Sequence, residues 1–354
     1  MKKSEVFNKL PKTLSPDVKI LLLTHTDADG AGATVILKSI FKDVTVKHCS
    51  NNTMSYEIKN AVTEMGIADN YDYIIACDIS LNAIDAECVN MTSDKKKLIV
   101  LDHHPTAIGL NKYKFACIHP ELIEDSFRAE KFKAAGNMNG LSSGTSLMYD
   151  YMDHIGLINN VPNLPLLQKM VHLIASYDTW DWFTIFNKEP IYNDFQSLCD
   201  IYGIDLYEES LIKKINEVDR TDVFDDTDRL LLKIEDTKIK FHIDSIKKYI
   251  VRANINMPFD NTRKDYDCVY VYANKYLQET FEYMKTTYPD VDLYIINYGS
   301  GLSFRAMKPE VNVGTIVSQY HGGGHPGAGG FKIPFNEQKA HMERILNATI
   351  TISK

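Results

Sequence analysis

LLLTHTDADGAGA, residues 21–33, decides how the chain is read. An apolar run ends in a histidine and two aspartates at every second position, then gives way to glycine and alanine. A short apolar run of this kind, bounded by turn residues, fits a buried strand. Taken as extended chain past the strand end, His25, Asp27 and Asp29 point the same way. Gly30-Ala31-Gly32 then lets the backbone turn tightly. Such a group is costly at a buried strand end without a counter-ion.

Working outward, two further apolar runs end alike. YIIACD closes on Asp78, and LIVLDHHP closes on Asp102, His103 and His104. A single aspartate at a strand end ordinarily caps the following helix. Three strand ends carrying hard oxygen or imidazole ligands need another account. In open α/β sheets the carboxyl edge is where ligands bind. Crowded carboxylates repel, and they either protonate or bind cations. A mixed Asp/His set without thiolate suits Mn²⁺ or Mg²⁺. Two such ions, about 3.5–4 Å apart, clamp the attacking and leaving oxygens of a phosphoryl group. Asp178, in ASYDTWDW, ends an apolar helical stretch and is a further candidate ligand; Asp181 competes with it.

Around these motifs the first half alternates strand and helix signals. Residues 18–25, 44–50, 73–78 and 96–102 read as strands; 30–42, 53–66 (closed by Gly66) and 81–91 read as helices. That alternation predicts a largely parallel sheet covered on both faces. Residues 144–156 and 164–183 are helical in pattern. A charged region follows, with 222–250 reading as one long helix or a helical pair. A second α/β unit comes last: strand 266–274, helix 277–289, a hairpin over 291–308, helix 312–322, and a glycine-rich turn running into a final strand. The expected organisation is a catalytic domain over 1–186, a helical connector over 187–260 and a smaller mixed α/β domain over 261–354.

Composition narrows the function classes. The chain has 354 residues, with 47 acidic against 39 basic and a net charge of −8. That balance argues against a broad surface for duplex nucleic acid. It leaves room for a small anionic ligand held by a few residues and metal ions. None of the six cysteines forms a C-x-x-C pair, so zinc-ribbon and redox-motif readings are weak. No apolar run reaches the ~20 residues of a membrane span. The polar N-terminus lacks a signal-peptide core. The expectation is a soluble cytoplasmic protein, with no membrane partner and a homodimer left open.

DADG, CD, LDHHP and ASYD, in that order, resemble the four motifs of the DHH phosphoesterase superfamily. SFRAMK and HGGGHPGAGGF are similar to the DHH-associated substrate-binding domain. The resemblance runs from about residue 18 to 334, apart from the connector. It implies a parallel-sheet catalytic domain, a smaller mixed domain, and hydrolysis of phosphodiester or phosphoanhydride bonds with two Mn²⁺ or Mg²⁺ ions, Mn²⁺ preferred. Carried over by position, Asp27 would hold one metal and Asp29 the other, with Asp78 bridging. His103 and Asp178 would complete the second site. His104 would face the substrate phosphate and Asp102 would orient an imidazole. His25 stands two residues before Asp27, where several relatives have four, and joins the metal set through the shared face.

Within that resemblance, Arg305 and His325 would grip substrate phosphates. Gly322, Gly323 and Gly324 would turn backbone N–H groups toward an anion. Tyr320, Phe331 and Tyr298 are candidates for stacking a base. The motif spacing and the extended glycine loop look most like the bacterial oligoribonucleases of the nanoRNase kind. The implied substrate is therefore short single-stranded RNA or a dinucleotide, cleaved to nucleoside 5′-monophosphates. A cyclic-dinucleotide phosphodiesterase and a 3′-phosphoadenosine nucleotide phosphatase are the alternatives. A single-strand exonuclease and a non-enzymatic nucleotide sensor stand behind them.

Overall fold

The computed structural model describes residues 1–50, 52–64, 67–259 and 262–346. The chain divides into two compact units, Met1–Leu232 and Lys233–Lys354. The helix Asp226–Ile246 runs across that division.

The first unit is built on five parallel strands: β1 Lys19–Thr24, β2 Asp43–His48, β3 Tyr73–Cys77, β4 Leu98–Asp102 and β5 Ala116–Ile118, in the order β2-β1-β3-β4-β5. The apolar runs are continuous because both faces of the sheet are covered. Alternate residues divide cleanly between two cores. Ile20, Leu22, Ile75 and Leu101 pack on one face, beneath the helices Ala28–Ile40, Gly144–His154 and Leu164–Asp178. Leu21, Leu23, Ile74 and Val100 pack on the other, with the helices Met54–Thr63 and Ala83–Asn90. Gly66, expected to close the first of these two, lies outside the described residues.

The region 187–260, suggested by the sequence as a connector, is shared between the units. The helices Pro190–Tyr202 and Ile204–Ile215 bury Phe195, Leu198, Tyr207 and Leu211 in the first unit's core. Each carries apolar residues at helical spacing that need a partner. The stretch 222–250 holds one long helix, Asp226–Ile246, rather than a pair.

The second unit is a six-stranded mixed sheet. Its strands are β6 Val251–Phe259, β7 Thr262–Tyr272, β8 Leu293–Asn297, β9 Gly301–Arg305, β10 Gly323–His325 and β11 Ala328–Lys332, in the order β10-β11-β9-β8-β7-β6. Only β7 and β8 run parallel, joined by the crossover helix Leu277–Thr287. β8 and β9 form the expected antiparallel hairpin. The glycine-rich stretch is itself a hairpin, β10 against β11, so one more strand is present than its composition suggests. Leu293, Ile295, Phe304 and Val313 form a core on one face; Val271, Phe281, Met284 and Ile296 form a core on the other.

Candidate functional site

β1, β3 and β4 are adjacent and parallel, so their carboxyl ends lie side by side. The loops leaving them carry the acidic and imidazole groups. The path after β1 differs from a plain extended run. The helix Ala28–Ile40 begins directly after Asp27, so Asp29 sits in its first turn, where the helix dipole favours a carboxylate. Asp27 is the N-cap: its Oδ1 accepts from the Gly30 N–H at 3.0 Å. Its Oδ2 faces His25 Nδ1 at 2.5 Å. Asp27 thus both caps a helix and faces the site. That hydrogen bond raises the His25 pKa; it lowers that of Asp27 against the opposing effect of burial.

Asp29 is fully buried, and its partners come from far along the chain. Oδ1 accepts from Ser143 Oγ at 2.6 Å and from the Thr145 N–H at 3.0 Å; Oδ2 accepts from the Gly144 N–H at 2.6 Å. The N-terminus of the helix Gly144–His154 is therefore a cradle for one carboxylate. A Cβ at residue 144 would lie 2.4 Å from the Asp78 Cβ and 2.8 Å from its Cα, so only glycine permits this approach. Residues 143–145 escaped the sequence reading. Their signal was the Ser143–Ser146 capping box, which marks a helix start but not what that start holds.

Asp78 follows β3 in the left-handed conformation, φ 62°. For a non-glycine residue this conformation is uncommon, with aspartate among those that tolerate it best. The turn delivers its carboxylate to 3.2 Å from His103 Nε2. His103 Nε2 also lies 3.6 Å from Asp178 Oδ2 and 3.9 Å from Asp29 Oδ2. Asp178 is the last residue of the helix Leu164–Asp178. Its rival Asp181 turns away: its Oδ2 accepts from Thr179 Oγ1 at 2.7 Å and faces the buried Arg128 at 3.5 Å.

Burial, followed by the neighbouring carboxylates of Asp29 and Asp27, holds Asp78 and Asp178 well above the usual carboxylate range. Burial lowers the His103 pKa. Among the described residues no lysine or arginine forms an ion pair with Asp27, Asp29, Asp78 or Asp178; their only such partners are histidines. The groups form three overlapping compact sets, His25–Asp27–Asp78, Asp29–His103–Asp178 and Asp78–Asp102–His103–His104, each with ligand atoms within 4.8 Å of one another. Four carboxylates converging without a lysine or arginine ion pair fit divalent metal ions.

Asp102 ends β4, fully buried. Its Oδ1 accepts from the His103 N–H at 2.8 Å and lies 2.7 Å from His104 Nδ1. This contact raises the His104 pKa and leaves its half-exposed ring turned outward. A cavity of about 280 Å³ opens here, with His25, Asp27, Asp78, His104 and Asp178 in its wall.

In the second unit, Arg305 pairs with Ala328, and Ala328 with His325, along one row across β9, β11 and β10. Directly opposed residues of antiparallel strands share a face. Arg305 and His325 therefore flank a small alanine on one face, while Phe304 points into the core. The guanidinium lies 4.7 Å from the Phe281 ring, with Nη1 donating to the Phe304 carbonyl at 3.0 Å. Gly323 on β10 has no atom within 4 Å of where a side chain would stand, whereas Gly322 and Gly324 are closely packed against β11. Tyr320 and Phe331 stack on one another at 4.7 Å.

Residues 19–176 match the family model described as the DHH family, N-terminal domain. The oligoribonuclease NrnB of Bacillus subtilis is 28% identical over 319 residues, 88% of this chain and 72% of that protein. A 3′,5′-cyclic-nucleotide phosphodiesterase of Helicobacter pylori is 21% identical over 392 residues, 93% of this chain and 99% of that protein. Among solved structures, the pGpG-specific phosphodiesterase PggH of Vibrio cholerae is similar with a TM-score of 0.47 and 13% identity, covering 93% of this chain and 98% of that one. The stretch 19–176 that matches this family model contains every member of the acidic and imidazole cluster but Asp178.

Proposed function

We propose that the chain is a metal-dependent phosphodiesterase that hydrolyses short single-stranded oligoribonucleotides and dinucleotides to nucleoside 5′-monophosphates. The observation that carries this is the convergence of Asp29, Asp78 and Asp178 around His103, with Asp27 and His25 beside Asp78 and no lysine or arginine ion pair among them. The B. subtilis oligoribonuclease, matched over most of the chain, supports the substrate class. In this reading the protein works in the cytoplasm.

His25 and Asp27 would hold one divalent ion, His103, Asp29 and Asp178 a second, and Asp78 would contact both. Bound there, Mn²⁺ or Mg²⁺ would supply Lewis-acid stabilisation of the phosphoryl oxygens and acidify an attacking water. The chain's own residues do the rest. The cradle at 143–145 fixes Asp29 in one rotamer. Asp102 holds His104 through Nδ1, leaving Nε2 free. With its pKa raised by that contact, His104 carries a proton that it gives to the departing 3′-oxygen as the P–O bond breaks. The new 5′-phosphate keeps the oxygen delivered by water. Arg305 and His325 are the phosphate-binding pair of the second unit, with the backbone of Gly322–Gly324 beside them.

The test is release of 5′-monophosphate from labelled di-, penta- and longer oligoribonucleotides with Mn²⁺, with Mg²⁺ and with chelator. The shortest substrates should turn over fastest, and chelator should stop the reaction. Cyclic dinucleotide and 3′-phosphoadenosine 5′-phosphate run in parallel. Preference for either by about tenfold would replace the substrate assignment, and no metal-stimulated release from any of them would end the hydrolase reading.

A further inference from the structure

A cavity of about 770 Å³ lies at the amino edge of the five-stranded sheet, beside Leu98 at the start of β4 and Phe115 just before β5. Its wall carries five lysines, Lys9, Lys95, Lys96, Lys112 and Lys114, against one carboxylate, Glu87. Glu87 is already engaged, its Oε2 accepting from Tyr113 OH at 2.6 Å. Lys9 and Lys95 donate to the backbone carbonyls of Asn111 and Asn90. Lys112 lies 4.9 Å from the Tyr113 ring. No ion pair with a carboxylate is formed by any of the five among the described residues. Some lysines elsewhere on this unit do form such pairs, among them Lys3, Lys42, Lys47 and Lys59.

Five ammonium groups around one cavity repel one another within a Debye length of about 8–10 Å. In a chain of net charge −8 such a cluster is contrary to the overall balance. We propose that this cavity is a second anion-binding site, for a compact polyphosphate such as a nucleoside triphosphate or inorganic tripolyphosphate. Five lysines against one glutamate leave four positive charges uncompensated, which matches such an anion. The volume is in the range of small-ligand pockets, about 300–1,000 Å³. Lysines are the point-charge phosphate binders. A concave site in an acidic chain suits a small anion better than a long nucleic acid. The site is separate from the acidic cluster: β4 alone puts roughly 13 Å between Leu98 and Asp102, at about 3.3 Å per residue.

The experiment is equilibrium binding to the full chain at about 0.15 M ionic strength, with chelator present so that metal ions do not link the ligand to the carboxylates. ATP, inorganic tripolyphosphate and AMP are the probes. ATP or tripolyphosphate should bind well below 1 mM, with AMP at least about tenfold weaker. Lys96→Glu/Lys114→Glu should weaken binding at least about tenfold and leave basal dinucleotide hydrolysis unchanged. Asp78→Asn should stop hydrolysis without changing polyphosphate binding. ATP tighter than tripolyphosphate would identify a nucleotide; equal affinities would identify the phosphate chain itself. Binding weaker than about 1 mM for both, an unaffected double-lysine variant, or loss of binding in Asp78→Asn would each overturn the proposal. Failure of the hydrolase reading would appear in the activity assay alone.

Discussion

At the carboxyl edge of the five-stranded sheet, Asp29, Asp78 and Asp102 are buried, and each is held by hydrogen bonds or by a strained turn. At the amino edge of the same sheet, Lys9, Lys96, Lys112 and Lys114 are exposed on flexible stems around an open cavity. The two edges differ in how charge is tolerated. Short aspartates cannot reach water from a covered strand end, so their charge has to be met locally. Lysines carry theirs outward and lose little solvation. The acidic edge should therefore be sensitive to single changes in both activity and stability, and the basic edge in ligand binding alone.

The largest effect should come from Asp78→Asn. Asparagine tolerates the left-handed backbone, so the fold survives. Oligoribonucleotide turnover should fall by at least about a thousandfold, near 4 kcal/mol of transition-state stabilisation. The metal-free protein should melt higher than the parent, because one of four crowded carboxylates has become neutral. A lower Tm would show that the acidic edge is not repulsive and would break the comparison.

Asp181→Ala attacks the support of that edge. It strips Arg128, 1% exposed, of its carboxylate and takes an acceptor from the Leu141 N–H at 3.3 Å. Leaving a buried charge unpaired should cost about 3–5 kcal/mol by denaturant unfolding. Arg128→Met/Asp181→Ala should recover part of it.

Gly144→Ala should cost about 1–3 kcal/mol, since the added methyl meets Asp78 carbon atoms inside contact distance. Turnover should drop further than stability alone explains, because Asp29 and Asp78 shift together. Wild-type kinetics in this variant would show that the cradle is dispensable.

The smallest effect should be Lys96→Glu. Unfolding free energy should change by no more than about 0.5 kcal/mol, as for exposed sites generally. A loss above that would mean the lysines of the amino edge are structural.

Strand ends were legible because both their signals are local: an apolar run of strand length, then an aspartate. The cluster over His25, Asp27, Asp78 and His103 follows once the strands are adjacent. The sequence puts Asp29 on an extended face that it does not occupy, because the helix starts too early. Asp178 and Asp181 could not be told apart by spacing. Arg128, 53 residues from Asp181, and the Leu141 N–H, 40 residues from it, help to decide between them. The glycine hairpin read as a turn because glycines hide strand pairing, which here rests on backbone hydrogen bonds alone.

By itself the sequence determined which residues end buried strands, and with that the chemistry available at one sheet edge. Periodicity and composition act over a few residues, and a strand ending in aspartate is such a feature. Tertiary structure alone decided that residues 143–145 cradle Asp29 across a separation of 114–116 residues, that Asp181 serves Arg128, and that five lysines from three segments surround one cavity. Those arrangements depend on which loops the packed helices and parallel strands bring together, and no short-range pattern encodes a contact between segments a hundred residues apart.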